Sequence, residues 1–389
     1  MKILKKFKFV DLFAGIGAFH LAMNDIGGEC VFASEIDKDA IEIYKKNFNI
    51  NADCDIFTVD EKDIPKHDVL CAGFPCQSFS CGGHKLGFED IRGTLFFEIE
   101  RILKYHKTKY ILLENVKHLI KHDNGNTYRV IMEHLKSIGY ILNETPIVIS
   151  PHHLGIPQTR ERVFILGIHS NYCDREKIEI KLPEKKEYPE MSVYNVLEEN
   201  VSEKYNIDSD IIHSLEVWDE LRKYFYDNKI EMCSPILVDE FEATYDYSHE
   251  LRWKRDYCRR NREFYQKHKE YLDSWIAKYD VKNFKKRDRK LEWQAGKECG
   301  TIKDTVIQLR QSGIRCKRPN TYPTLLAINQ TSILAKYNRR ITPREAARLQ
   351  SFPDSFVLPE RDDKAYKLIG NSANVEVIKY IAKQLLNIE

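Results

Sequence analysis

Residues 9–19 read FVDLFAGIGAF, an apolar strand-like run that passes through a turn with two glycines into a helical pattern. Gly15 and Gly17 let the backbone turn tightly and approach a ligand at the N-terminus of the next helix. The next strand-like run ends at Ser34 and is followed by Glu35, about 20 residues after the glycines, where a carboxylate is placed to bind ribose hydroxyls. The two strand ends together indicate a cofactor that contains adenosine.

The same alternation of short β-rich runs and helical patterns continues to about residue 168. Strands that alternate with helices indicate a parallel sheet with crossover helices. We therefore predict an α/β fold with an open, doubly wound and mostly parallel sheet. The strand-like runs are 9–13, 31–34, 69–72, 111–113 and 163–168, and the helical patterns begin at residues 18, 38, 95 and 127.

The character of the chain changes after Pro183. Lys- and Glu-rich segments are followed by an aromatic and basic stretch at 253–293 and a strand-like run at 322–333, and helical patterns return beyond Arg340. A chain of 389 residues is too long for one ordinary small domain, so we expect one large and one smaller domain. The predicted boundaries are a first domain at 1–185, an inserted second domain at 186–335, and a C-terminal segment at 336–389 that returns to the first domain.

Composition excludes several classes of protein. Hydrophobic residues make up 42% of the chain and charged residues 31%, and no apolar run reaches the roughly 18 to 20 residues that span a bilayer. The ten cysteines lack the spacing of a disulfide framework or a zinc site, and the basic N-terminus lacks a cleavage site for secretion. We expect a cytoplasmic protein with reduced thiols, no membrane segment and no metal. The net charge of +2 leaves any nucleic-acid binding to local basic patches.

A cysteine occupies the loop after the strand-like run at 69–72. This loop reads GFPCQSFS from Gly73 to Ser80 and lies at the carboxyl edge of the predicted sheet, where open α/β folds place ligands. A thiol on such a loop can act as a nucleophile, although most cysteines are small buried apolar residues. The motifs that follow along the chain are ENV at 114–116, QTRER at 158–162, REAARLQ at 344–350 with FP at 352–353, and GNS at 370–372.

In this order the motifs resemble those of the DNA (cytosine-5) methyltransferases. The stretch 68–80, with GFED at 87–90 and RGTLFF at 92–97, is similar to the bacterial restriction-modification members in particular. The resemblance implies the fold of the S-adenosylmethionine-dependent methyltransferases and methyl transfer from S-adenosylmethionine to carbon 5 of cytosine in double-stranded DNA. It also implies a companion restriction endonuclease, and a monomer suits an enzyme that acts on one strand at a time.

The chemistry of this transfer explains the residue types. Carbon 5 of cytosine is too weak a nucleophile to attack a sulfonium methyl unaided, so a thiolate adds to carbon 6 while a proton or hydrogen bond at nitrogen 3 limits the charge on the ring. By resemblance, Cys76 is the nucleophile and Glu114 acts at nitrogen 3, and we expect burial to raise the pKa of Glu114. Arg160 and Arg162 are two apart in a strand-like segment and so share one side. By resemblance, Arg162 would hold the base and orient Glu114, and Arg160 would contact the base or a nearby phosphate.

The resemblance also assigns a cofactor site. Phe13 and Leu95, which belong to this set, are equally compatible with an ordinary core position. The assignments are Phe13 to stacking, Gly15 and Gly17 to the turn, Glu35 to the ribose, Ile36 to the adenine face, Asp55 and Ile56 to the adenine edge, and Pro75, Leu95 and Asn371 to the methionine end.

The inserted domain carries the basic patches, and in the family this region reads the DNA target. Arginine can pair bidentately with guanine, and asparagine or glutamine with adenine. The aromatic residues at 253–293 recur at three- and four-residue spacing, which favours a helix core over stacking on bases. Because a stacked base cannot react, the target cytosine must be flipped out of the duplex. DNA contacts are expected at Ser80, in the loop that closes over the base, and at Arg255, Arg259, Arg260, Arg310, Arg315, Lys317 and Arg318.

Two other functions are alternatives. One branch of the family resembles DNA methyltransferases throughout yet modifies cytosine in transfer RNA, and the long basic insert favours duplex DNA over that substrate. A catalytically silent DNA-binding protein with the same fold would have lost the nucleophile or the acid, and both Cys76 and Glu114 are present. Methylation of adenine or of an exocyclic nitrogen needs an Asp/Asn-Pro-Pro-aromatic loop, which is absent because residues 74–77 read FPCQ.

Overall fold

A computed structural model describes residues 6–74, 95–173, 178–184, 188–329 and 332–387. The chain divides into two compact units. Unit 1 comprises residues 1–191, 324–329 and 343–389, and unit 2 comprises residues 192–323 and 330–342. Among the described helices, none combines the length and apolar character needed to cross a bilayer.

Unit 1 contains a seven-stranded sheet. Its order is β2-β1-β3-β4-β7-β5, with β6 also paired to β7. β2, β1, β3 and β4 are parallel, and β7 is antiparallel to β4, β5 and β6, so β7 alone runs against the other six strands. The sheet is therefore mostly parallel, as predicted. The strands are β1 (Phe7–Leu12), β2 (Gly28–Ser34), β3 (Val69–Gly73), β4 (Tyr110–Val116), β5 (Tyr140–Leu142), β6 (Ile147–Ile149) and β7 (Arg162–His169).

The α-helices of both units, numbered along the chain, are α1 (Ala18–Asn24), α2 (Lys38–Phe48), α3 (Leu95–His106), α4 (Asn126–Ser137), α5 (Ser209–Asp227), α6 (Arg252–Lys267), α7 (Lys269–Tyr279), α8 (Pro343–Leu349), α9 (Asp362–Asn371) and α10 (Val375–Leu385). In unit 1 the chain leaves the middle of the sheet in opposite directions, from β1 outward to β2 and from β3 outward to β4. Right-handed crossovers then place α1 and α3 on opposite faces. α10 packs with α1 and α9 with α2, whereas α4 packs with α3. The fold is doubly wound, and its switch point lies between β1 and β3.

The core of unit 1 explains where its polar side chains begin. A parallel strand covered by helices on both faces reads as a continuous apolar run. In β4, Ile111, Leu112 and Leu113 are buried, and the run ends at Glu114. The first ionisable side chain after the apolar run of this strand therefore stands at the carboxyl edge of the sheet.

Unit 2 contains a six-stranded sheet in the order β13-β12-β10-β11-β9-β8, in which only the β9–β11 pair is parallel. Its core includes Trp218 of α5 and Trp275 of α7, whose ring centroids lie 5.2 Å apart, together with Phe264 and Tyr265 of α6. Most of the aromatic residues at helical spacing thus lie in or against a core, as predicted, whereas Trp253 is 57% exposed. The strands are β8 (Ile236–Leu237), β9 (Lys290–Gln294), β10 (Val306–Arg310), β11 (Gly313–Lys317), β12 (Ser332–Leu334) and β13 (Arg339–Arg340).

The unit boundaries differ from the predicted domain boundaries of 186–335 and 336–389. Residues 336–342 belong to unit 2, because β13 pairs with β12 and the N–H of Ile207 donates to the carbonyl of Asn338. Residues 324–329 belong to unit 1. Of the described residues in the strand predicted at 322–333, only 332 and 333 lie in a strand, β12, so the prediction is wrong for 322–329; there the carbonyl of Leu325 accepts a hydrogen bond from an arginine side chain of unit 1.

Candidate active site

Six strand ends meet at one edge of the unit 1 sheet. β1, β2, β3, β4 and β6 end there, and β7, which runs the opposite way, begins there. Gly73 at the end of β3 pairs with Glu114, and Val116 at the end of β4 pairs with Arg162. The edge includes the switch point, where open α/β sheets bind their ligands.

The turn after β1 contains positive φ angles at three alternate positions. Phe13, Gly15 and Gly17 have φ angles of 55°, 54° and 88°. A phenylalanine in the left-handed region costs on the order of 1–3 kcal/mol, and such strain clusters at ligand sites. At Gly17 a Cβ would lie 2.2 Å from Cε2 of Phe48, so only glycine fits. At Gly15 a Cβ would meet nothing within 4 Å, so the turn borders open space.

Glu35 joins the first two strand ends. Its Oε2 accepts a hydrogen bond from the N–H of Gly15 at 2.7 Å, and its Oε1 accepts from the N–H groups of Ile36 and Asp37 at 2.8 and 2.9 Å. Ile36 is 70% exposed beside this carboxylate. The edge therefore presents an anchored carboxylate and an uncovered apolar side chain next to each other.

The other residues expected at the cofactor lie in different settings. Asp55 accepts a backbone hydrogen bond from two residues further along the chain, at 3.1 Å. Ile56 is only 3% exposed and packs in the core, so its side chain cannot contact adenine, and only its backbone is left for that role. Leu95 is half-buried at the start of α3, and Asn371 is exposed at the end of α9. Pro75 lies outside the described residues.

The carboxyl group of Glu114 is paired and nearly enclosed. Its Oε1 lies 2.9 Å from Nε of Arg162, and the two side chains are 11% and 16% exposed. Burial raises the pKa of Glu114 above its ordinary value, although the positive charges of Arg162 and Arg160 oppose the shift. The direction of the expected pKa shift is confirmed.

Asn115 fixes the start of the cysteine loop. Its buried Nδ2 donates to the carbonyl of Phe74 at 2.9 Å, and its Oδ1 accepts from the N–H of Val116 at 2.8 Å. A Cβ on Gly73 would lie 3.5 Å from Oε2 of Glu114, so the chain leaves β3 directly beside that carboxyl group. The expected nucleophile Cys76 and the expected DNA contact Ser80 follow in the chain and lie outside the described residues.

Arg160 differs from its expected role. It precedes β7, is 2% exposed, and its Nη1 donates to the carbonyl of Leu325 at 3.0 Å. Its Nη2 donates to the carbonyls of Gly370 and Ser372 at 2.8 and 2.6 Å. Burial, with the nearby charge of Arg162, lowers the pKa of Arg160 to about 9. Because three carbonyls occupy its Nη1 and Nη2 groups, Arg160 holds chain segments together, and its charge acts on Glu114 together with that of Arg162.

The GNS motif at 370–372 packs against the segment 324–329. A Cβ on Gly370 would lie 2.1 Å from the carbonyl oxygen of Leu326, so a larger residue would displace the backbone there. Gln350, from the REAARLQ motif, donates to the carbonyls of Ile369 and Ser372 at 3.2 and 3.0 Å. The REAARLQ and GNS motifs thus lie together next to Arg160, where Gln350 and Arg160 both donate to backbone carbonyls.

Three of the basic residues expected to bind DNA lie on α6 of unit 2. Arg255, Arg259 and Arg260 are all exposed. Arg259 forms an ion pair of 3.1 Å with Glu263, and Arg260 lies 5.1 Å from the ring centroid of Tyr257. This surface is positively charged and open to solvent, as phosphate binding requires.

The other four expected DNA contacts lie on and after the β10–β11 hairpin. Arg310 and Arg315 both form ion pairs with Glu292, and Arg318 with Glu298. Burial and the neighbouring charge of Arg315 lower the pKa of Lys317. In the described part of the chain, no group of three His, Cys, Asp or Glu side chains is arranged to hold a metal ion.

A sequence model described as C-5 cytosine-specific DNA methylase matches residues 7–387. The chain belongs to this family. The match includes both units, so this methylase has the family's pattern from β1 to the end of α10. It is a DNA (cytosine-5) methyltransferase.

Bacterial relatives cover nearly all of the methylase. Type II methyltransferase M1.ScrFI of Lactococcus lactis subsp. cremoris is 36% identical over 98% of this chain and 79% of its own length. M.NlaX of Neisseria lactamica is 35% identical over 97% and 96%, and M.HpaII of Haemophilus parainfluenzae is 34% identical over 98% and 90%.

Solved structures share the fold at lower identity. A mutant DNMT2 of Spodoptera frugiperda is 22% identical, with a TM-score of 0.57 over 97% of this chain and 99% of that one. A DNA modification methyltransferase described as putative, from a prophage of E. coli, is 21% identical, with a TM-score of 0.58 over 98% and 99%. At these identities the likeness supports the α/β fold.

Sequence reasoning did not single out two features of the methylase. Asn115 stands in the quoted ENV motif, and a buried amide directly after a strand is a signal for a loop anchor. Glu292 lies in an aromatic and basic stretch in which only the basic residues were considered, and its partners follow 18 and 23 positions later. Only the strand register brings these three side chains together.

Proposed function

We propose that this methylase modifies one cytosine within a short, specific sequence of double-stranded DNA, as the modification enzyme of a restriction-modification system. The relatives named above are Type II methyltransferases and match nearly the whole chain. The ion pair of Glu114 with Arg162 carries the proposal, because it lies where the chain enters the Cys76 loop. A companion endonuclease then cuts the unmodified sequence, and the methylase works as a monomer on one strand at a time.

Cys76 is the proposed nucleophile. Its thiolate forms a bond from Sγ to carbon 6 of the cytosine, and nitrogen 3 takes a proton, so that carbon 5 becomes the nucleophilic carbon of an enamine. When bound, S-adenosylmethionine supplies the methyl group as an electrophile. Loss of the carbon 5 proton to water, expulsion of the thiolate and return of the nitrogen 3 proton to Glu114 then restore the aromatic ring and the free enzyme.

Glu114 is the proposed donor at nitrogen 3. A raised pKa keeps its proton available at a pH where a free glutamate has lost it. Arg162 binds Oε1, and Oε2 lies on the side of Gly73, towards the cysteine loop. In this proposal Arg162 also holds the base, whereas Arg160 acts by positioning the chain segments around the site.

The described edge fits a cofactor with an adenosine group. Gly15 borders open space that a Cβ would enter, Glu35 is a fixed acceptor for ribose hydroxyls, and Ile36 offers an uncovered apolar face to adenine. Phe13 stacks on the cofactor in the proposal, and the backbone of Ile56 replaces its side chain. Asp55, Pro75, Leu95 and Asn371 complete the proposed site, in which Asn371 follows the glycine packed on Leu326.

Unit 2 is the proposed target-recognition unit. The exposed arginines of α6 neutralise phosphates, and the polar side chains of the β10–β11 hairpin reach base edges. Flipping the target cytosine costs a few kcal/mol, which these contacts offset. Ser80 closes over the flipped base on this proposal.

The deciding test is bisulfite sequencing of a plasmid incubated with the purified enzyme and S-adenosylmethionine, with Cys76→Ser as the matched control. We expect protected cytosines in one short sequence context, and no protection with the control variant. Protection that persists with Cys76→Ser would remove Cys76 from the mechanism. Methylation of transfer RNA but not of the plasmid would replace the proposed substrate.

A further inference from the structure

The two faces of the β9–β10–β11 part of the unit 2 sheet differ in character. One face packs in the core of the unit through Leu291, Ile307, Ile314 and Cys316, which are all buried. The register places the alternate side chains on the other face, because Arg315 pairs with both Glu292 and Gln308. We call this second face the polar sheet face, and it comprises Glu292, Gln294, Gln308, Arg310, Arg315 and Lys317.

One carboxylate organises the polar sheet face. Oε1 of Glu292 lies 3.0 Å from Nε of Arg315, and Oε2 lies 2.5 Å from Nη2 of Arg310. The side chains of these three residues are 18%, 26% and 29% exposed, so the ion pairs are shielded but reachable. Burial alone would raise the pKa of Glu292, but hydrogen bonds from Arg315 and Arg310 hold it below the ordinary value. Glu292 therefore stays charged and keeps both guanidinium groups in place.

The polar sheet face has unused hydrogen-bonding capacity. Nη1 and Nη2 of Arg315 have no protein partner among the residues that the structure describes, although the side chain is held through Nε. Oε1 of Gln308 and the Nε atoms of Arg310 and Arg315 are buried without a well-aligned hydrogen bond, although Nε of Arg315 lies at ion-pair distance from Glu292. Such groups are rare in native proteins unless a ligand or water satisfies them. The polar sheet face carries three cationic side chains, Arg310, Arg315 and Lys317, and one carboxylate, Glu292. A ligand that suits this face is therefore negatively charged and rich in hydrogen-bond acceptors.

We propose that Arg315 reads a guanine of the target sequence and that Glu292 is the positioning residue that aims it; this inference rests on the proposed function. The free Nη groups of Arg315 match the O6 and N7 acceptors of guanine in the major groove. Gln308, directly opposite on β10, contacts the neighbouring base pair. A guanidinium held by its own carboxylate loses little freedom on binding and is poorly placed to accept other bases.

The test is bisulfite sequencing of a randomised duplex library with full-length variants. In Arg315→Lys the charge remains but the planar fork is lost, so we expect a roughly 10- to 100-fold loss of methylation at the cognate sequence and relaxed preference at one guanine position only. Glu292→Gln keeps the shape and should relax the same position to a smaller extent. Arg259→Ala, on α6, should reduce methylation evenly with unchanged base preference.

The outcomes separate this inference from the proposed function. If the wild-type enzyme shows no sequence context, the proposed function fails. If the wild type has a context and Arg315→Lys leaves the preference at every position unchanged, Arg315 binds only phosphate and the inference is overturned. Relaxation by Arg315→Lys that Glu292→Gln does not share would remove the positioning role of Glu292. Glu292→Gln retains the side-chain shape. If Arg315→Lys folds poorly, the base preference of Glu292→Gln at the guanine position still tests the inference.

Discussion

Glu114 in unit 1 and Glu292 in unit 2 are both shielded glutamates paired with arginine, yet their protonation tendencies are opposite. Glu114 forms one ion pair, with Arg162, and burial outweighs that pair, so its pKa is raised. Glu292 pairs with Arg310 and Arg315, and their hydrogen bonds outweigh burial, so its pKa is lowered. The same residue types thus give a raised pKa at one site and a lowered pKa at the other, and the balance between desolvation and paired cations decides which.

Replacement of each glutamate by glutamine is the strongest test of this comparison. Glu114→Gln removes the donor at nitrogen 3, so we expect turnover to fall by about 10²- to 10⁴-fold with little change in the dissociation constant of S-adenosylmethionine. Glu292→Gln should leave turnover at saturating DNA within about threefold of wild type, because its carboxylate does not meet the reacting base. Single-turnover methylation and cofactor titration measure the two quantities. Full turnover by Glu114→Gln would end the assigned role.

Arg160 tests how much the burial of an arginine that donates to backbone carbonyls contributes to the free energy of unfolding. Arg160→Met removes a donor from three carbonyls, of which, in the described part of the chain, only that of Ser372 keeps another, from Gln350, and we expect a loss of about 3–5 kcal/mol in the free energy of unfolding. The matched variant is Arg344→Met, since Arg344 also donates to two carbonyls but is nearer the surface. For this control we expect about 1 kcal/mol. Urea denaturation measures the free energy of unfolding of both variants. Equal losses would show that the buried hydrogen bonds of Arg160 stabilise the fold no more than the more exposed ones of Arg344.

The opposite pKa shifts predict opposite effects of pH on stability. The pKa of Glu114 is raised above 4.5, so its stabilising contribution is full below the unfolded-state pKa and is lost as pH rises through the folded-state pKa. The pKa of Glu292 is lowered below 4.5, so its contribution is present above the unfolded-state pKa and is lost as pH falls. Relative to wild type, Glu114→Gln should gain stability as pH rises, and Glu292→Gln should gain stability as pH falls. Unfolding curves at several pH values test the signs, and two parallel trends would refute the contrast.

The smallest effect concerns the exposed ion pairs. Arg259→Ala on α6 should lower the magnitude of the slope of log K against log salt for DNA binding by about 1. Arg129→Ala on α4 is the matched control, because Arg129 and Glu133 form the same i,i+4 pair as Arg259 and Glu263. The control should leave the slope unchanged. Titrations at several salt concentrations measure both, and equal slopes would exclude Arg259 from phosphate contact.

Local patterns predicted the elements that position the site, and tertiary contacts decided the rest. The runs at 69–72 and 111–113 became β3 and β4 with small extensions, because apolar residues stop where a strand reaches the sheet edge. The pattern of β7 did not show its direction, since a strand buried on both faces reads the same either way. Arg160 was placed with Arg162 by a two-residue period that applies only inside a strand.

Long-range pairing was the other limit. Nothing in the segment 324–329 shows that it leaves unit 2 to meet Arg160 and Gly370, which lie about 165 positions before it and 40 positions after it. Glu292 gains its importance only from the register of three strands. Family resemblance could indicate the roles of the motifs, but it does not carry over to such member-specific contacts.

The division of unit 1 between the two ends of the chain determines when it can be completed during synthesis. Lys379 of α10 pairs with Asp25 after α1, and Lys367 of α9 pairs with Asp37 before α2. A ribosome makes roughly 200 residues between β7 and α10, which takes on the order of 10–40 s. Throughout that time the nascent sheet lacks the helix that covers α1. Newly made enzyme therefore becomes competent only after α10 has been made, and a chain that terminates before α10 leaves an apolar face exposed to aggregation.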